Sequence, residues 1–109
     1  MSDESKQKRT DVKKPYLINP LKLIKEEKWD LICDFKIDPL HINNVDENGD
    51  TVLHWAAWEK APRKVIKGLI DQGVDLYAIN KSGNTAFDVA IQKNNKEMAY
   101  ILADFYGYE

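Results

Sequence analysis

A chain of 109 residues with 16 basic and 18 acidic side chains and a formal net charge of −2 has room for one domain, and it carries no field that would draw in nucleic acid or an anionic membrane. At this length folding hides about two-thirds of the surface that the unfolded chain exposes, which leaves little depth for an enclosed active site. A hydrophobic fraction of 43% and a charged fraction of 31% are those of a chain that folds.

The opening Met1-Ser2-Asp3-Glu4-Ser5-Lys6 lacks the apolar core of a secretory signal, and no later apolar run is long enough to cross a bilayer. A cytoplasmic or nuclear location is therefore expected, with no membrane insertion. Residues 1–15 form a polar, charged arm in which Val12 is the one strongly apolar residue besides Met1, and alone such an arm does not order itself. Its cluster Lys6-Gln7-Lys8-Arg9 has the make-up of a weak import signal or phosphate contact, but a solvated tail is the simpler reading.

From Tyr16 the pattern changes. Asn19 is placed to cap a helix with Pro20 at its first position, followed by Leu21, Leu23 and Ile24 as the apolar side. A second short helix is expected from about Lys28 to Phe35, with Trp29, Ile32, Cys33 and Phe35 recurring at intervals of three and four. Cys33, the single cysteine, is expected to be a buried reduced thiol.

The next two segments repeat each other. Asp46-Glu47-Asn48-Gly49-Asp50-Thr51-Val52-Leu53-His54-Trp55-Ala56-Ala57 returns 34 residues later as Asn80-Lys81-Ser82-Gly83-Asn84-Thr85-Ala86-Phe87-Asp88-Val89-Ala90-Ile91. Val65, Ile66, Leu69 and Ile70 return as Met98, Ala99, Leu102 and Ala103 at an offset of 33, so the first copy carries one extra residue near Lys60. Each copy reads as a glycine turn, a threonine helix cap, a helix containing a small residue, and a second helix, which in the first copy ends at Gly73. Two such short helices cannot bury their apolar faces alone, so neighbouring copies must stack.

These residues resemble the ankyrin repeat nearly position for position, through Asp46-x-x-Gly49-x-Thr51-x-Leu53-His54-x-Ala56-Ala57 and then Val65-Ile66-x-x-Leu69-Ile70-x-x-Gly73-Val74-Asp75. The resemblance implies an all-α solenoid of stacked antiparallel helix pairs joined by β-turn or loop fingers. Residues 16–44 are an incomplete first repeat, 45–78 a full repeat and 79–109 a repeat resembling a terminal cap, with Lys93, Asn94, Asn95, Lys96 and Glu97 as its polar outer face. Val52 in place of the usual proline, and Ala61-Pro62 in place of the usual glycine and histidine, imply an irregular loop in the middle repeat.

The chain offers His41, His54 and one cysteine, with no glycine-rich phosphate loop, so no catalytic, metal or cofactor-binding residue is assigned and no small-molecule substrate is expected. The resemblance gives His54 a structural role, bonding its own turn and the neighbouring loop. Partner contacts in such stacks come from the variable positions of the concave face. Here these are Val45, Glu47, Asn48, Asp50, Trp58 and Glu59 in the middle repeat, and Ile79, Lys81, Ser82, Asn84, Gln92 and Lys93 in the last. Trp58 stands out, because the repeat pattern does not require it and tryptophan is enriched among binding hot spots. The competing reading folds it over the Lys60-Ala61-Pro62 loop. Trp55 and Trp29 are assigned to the core.

The expected function is thus a non-enzymatic adaptor or assembly subunit that binds another protein, including one within a multi-subunit complex. The rival readings are a regulatory inhibitor or effector that mimics a larger ankyrin protein and, with less support, nucleic-acid contact through the basic arm.

Overall fold

Two threonines decide where the stack begins each of its turns inward. In the computed structural model, which describes residues 19–34 and 36–106, Thr51 and Thr85 sit in extended conformation at the ends of equivalent turns. The Thr51 hydroxyl accepts the backbone N–H groups of Leu53 and His54, and that of Thr85 accepts Asp88. In return the side chains of His54 and Asp88 accept the backbone N–H of the capping threonine, which closes a reciprocal capping box at each site.

Six helices follow from such local signals: α1 (Pro20–Lys25), α2 (Trp29–Asp34), α3 (Val52–Glu59), α4 (Arg63–Asp71), α5 (Ala86–Gln92) and α6 (Lys96–Tyr106). The described residues contain no β-strand. Asn19 caps α1 through its side chain with Pro20 at the first position, as its sequence context predicts. The pairs α1/α2, α3/α4 and α5/α6 stack so that α1, α3 and α5 form one row and α2, α4 and α6 the other. One continuous core runs between them, with Ile24, Leu53, Ala56, Val65, Ile66, Ala90, Met98 and Leu102 fully out of solvent. Small Ala56 and Ala90 let the inner helices approach, the role that their place in the repeat suggests.

The extra residue of the middle repeat is absorbed after its inner helix has stopped. Lys60 and Asn94 occupy equivalent places, both with positive φ (56° and 58°), and each breaks the helix that precedes it. Downstream the copies part: Ala61-Pro62 enters α4 without a side-chain cap, whereas Asn95 enters α6 directly. Asn95 corrects the expectation of a polar outer surface there. It is buried, its Oδ1 accepting the Met98 N–H and its Nδ2 donating to the Ala57 carbonyl, so it satisfies backbone groups at the ends of two helices in adjacent repeats.

Cys33 is a second correction, because its thiol is exposed. Helix α2 has six residues and turns one narrow face inward; Ile32 takes it, and the next residue is rotated by about 100° away from the core. The expectations for residues 1–15, for Tyr16 and for Phe35 fall outside the described residues.

Candidate protein interface

The fingers that precede α3 and α5 are copies of one turn. Asp46 Oδ1 accepts the backbone N–H groups of Asn48 and Asp50, and Asn80 Oδ1 accepts those of Ser82 and Asn84. Gly49 and Gly83 supply the positive φ (78° and 82°) that closes each turn. The fingers are also tied to each other: Lys81 N–H donates to the Asn48 carbonyl at 3.0 Å, and Asn80 Nδ2 to Asp50 Oδ1 at 2.8 Å.

His54 completes that tie. Its Nδ1 accepts the Thr51 N–H at 3.1 Å while Nε2 lies 2.8 Å from the Asn84 carbonyl, a pair of partners that places the ring proton on Nε2. The ring is buried and joins its own turn to the next finger, as the resemblance implies.

Eleven of the twelve contact positions read from the sequence keep exposed or partly exposed side chains. Val45, Glu47, Asn48, Ile79, Lys81 and Ser82 are open at the fingers, and Trp58, Gln92 and Lys93 are open toward the C-terminal ends of α3 and α5. Glu59 and Asn84 are half-buried. Asp50 is the correction: it is 5% exposed, because the following finger lies over it and takes its carboxylate as an acceptor for Asn80.

Across the open side of the inner helices runs a band of rings and cations. Lys25 of α1 lies 4.8 Å from the centre of the Trp55 ring, Trp55 and Trp58 of α3 are 5.8 Å apart, and Lys93 of α5 is 4.7 Å from Trp58. Trp55 is the half-buried end of the pair, its indole N–H donating to Asp46 Oδ2 at 2.9 Å. Trp58 is 47% exposed, held between Trp55 and Lys93. Sequence reasoning missed Lys25 because the first repeat lacks the turn that registers the other two.

Two carboxylates mark the electrostatics of this face. Burial acts to raise the Asp46 pKa, but the Trp55 indole, the backbone N–H groups of Asp50 and Asn48, and Lys25 at 3.3 Å together hold it below the usual value. Glu59 is pushed up, first by burial and then by its hydrogen bond to Glu27 and that neighbour's charge. The middle of the concave face therefore carries acidic charge that its own side chains do not neutralise.

The Asp46 shift sets a pH dependence. A carboxylate whose folded pKa is depressed contributes stability above its unfolded value of about 3.9 and loses it as pH falls through the folded value. In urea unfolding, Asp46→Asn is expected to be less stable than the parent at neutral pH, and the difference is expected to close as pH drops toward 3, below that value of about 3.9. A gap independent of pH would place the effect in packing instead.

Among the described residues no helix is long and apolar enough to cross a membrane, and no group of three or more His, Cys, Asp or Glu is placed to hold a metal ion. The family model described as ankyrin repeats (3 copies) matches residues 21–109. The chain is 36% identical over 69 residues to the NAD-capped RNA hydrolase NUDT12 of Homo sapiens, and equally to its counterparts in Macaca fascicularis and Pongo abelii. The match takes in 63% of this chain and 15% of the length of each relative.

Proposed function

Because the chain belongs to the ankyrin-repeat family, whose repeats are in general protein-interaction modules, we propose that it is a non-enzymatic adaptor or subunit of a larger assembly, taking a protein partner on its concave face with Trp58 as the central contact. The observation that carries the reading is the state of Trp58. Its ring is already positioned by Trp55 and Lys93, so little side-chain freedom is lost on docking, yet about half of it remains open to be covered. About 100 Å² of further burial is worth roughly 2–3 kcal/mol.

The unneutralised Glu27 and Glu59 beside this ring favour a partner that brings a basic side chain next to an apolar one. In the NUDT12 relatives the matching stretch is a small part of a hydrolase. An enzyme is accordingly one class of partner that a module of this kind would position.

The test is co-purification on the immobilised protein from its native source, read by mass spectrometry, with Trp58→Ala in parallel. Recovery of the main partner is expected to fall about tenfold or more in the variant, with helical content and melting temperature unchanged. Equal recovery would remove Trp58 from the interface.

A further inference from the structure

The outer side of the last helix pair is apolar where a terminal repeat was expected to be polar. A groove of about 360 Å³ there is lined by Phe87 and Ile91 of α5 and by Lys96, Ala99, Tyr100 and Ala103 of α6. Ile91 is 58% and Tyr100 77% exposed.

Repeat arithmetic says what kind of surface this is. In the middle repeat the places of Phe87, Ile91, Ala99 and Ala103 are held by Leu53, Ala57, Ile66 and Ile70, of which the first three are fully buried, and α5 and α6 pack against α3 and α4. The groove is thus the positional copy of a joining surface already in use within the same molecule. Exposed apolar area of this kind is unusual on a lone domain.

We infer that this surface pairs with the same surface of a second copy of the chain, about a two-fold axis. The distribution of side-chain size is the reason. At the internal join the bulky members, Leu53 and Ile66, come from the middle repeat, while small Ala86 and Ala90 come from the last. The terminal surface carries both kinds at once: Phe87, Ile91 and Tyr100 are ridges, and Ala99 and Ala103 are the trough. A surface that holds its own complement meets the condition for an isologous contact, which closes at two copies. Lys96, the one charged residue of the lining, lays its methylene stem along the groove and keeps its ammonium at the rim.

Two helices, the longer about 16 Å, make a contact at the small end of protein interfaces. The dimer is therefore reversible and forms in the micromolar range. Sedimentation equilibrium in reducing buffer, which prevents Cys33 from linking copies, should show the mass rising with concentration from 12.6 kDa toward twice that value and no further. The double variant Ile91→Asp, Tyr100→Asp, changed at two exposed positions, is expected to stay at the monomer mass with unaltered circular dichroism and melting temperature. Trp58→Ala is expected to associate as the parent does, which separates this surface from the concave one. A constant 12.6 kDa for the parent, a mass that climbs past two copies, or a double variant that still pairs would each overturn the inference.

Discussion

Leu53→Ala is expected to cost about 3 kcal/mol of folding stability, which is a large part of the total for a chain of this size. Leu53 is fully buried on α3, the inner helix that packs against both α1 and α5. Removing three of its carbons leaves a void that neither neighbour can close without breaking the finger-to-finger hydrogen bonds that fix their spacing. Equilibrium unfolding in urea measures the loss. A cost below about 1 kcal/mol would mean that the stack repacks freely, against the close-packed core on which the repeat reading rests.

Gly49→Val is expected to be of similar size, for a backbone reason. Gly49 has φ +78°, a region that β-branched residues scarcely enter. A Cβ built there stands 3.0 Å from the Lys81 nitrogen and 3.2 Å from the Asn80 Cα, so the strain cannot be relieved by a flexible side chain. The substitution is expected to lower stability by about 2–4 kcal/mol, combining backbone strain with loss of the Asn48 to Lys81 bond. The same change at Gly83, where φ is also positive but no atom lies within 4 Å, should cost less. Thermal melts of the two variants side by side separate collision from conformational strain, and equal losses would show that the approach of the fingers is immaterial.

These two residues also show what was legible in the sequence. The turn, the capping threonine, the histidine that links fingers and the alanines inside the helices are each dictated by a few neighbouring atoms, and they recur 34 residues apart, so pattern alone located them. Asp50 and Asn95 were read as surface because each is polar and sits in a loop; what buries them is the adjacent repeat, through Asn80 in one case and Ala57 in the other. Cys33 was placed in the core by its apolar neighbours, but a helix of six residues has room inside for fewer of them than the stripe contains.

The contact residues divide along the same line. The repeat register pointed to Trp58 and Lys93, and the structure joins them through a cation held over a ring. Lys25 and Glu27 come from a first repeat with no finger to align, and their bearing on the face emerges from packing alone. The apolar end of the last repeat was missed for a different reason. Attention to the charged run from Lys93 to Glu97 hid Ile91 and Tyr100, which flank it and point outward together.

The exposed thiol on α2 gives the molecule a built-in spectroscopic ruler. Cys33 is the chain's single cysteine, so one dye attaches at one known place with no engineered substitution. The three indoles at 29, 55 and 58 serve as native donors, two of them on the concave face. Energy transfer between them and the dye then reports curvature of the solenoid directly, and any straightening or tightening as a guest settles into the hollow registers as a change in that signal.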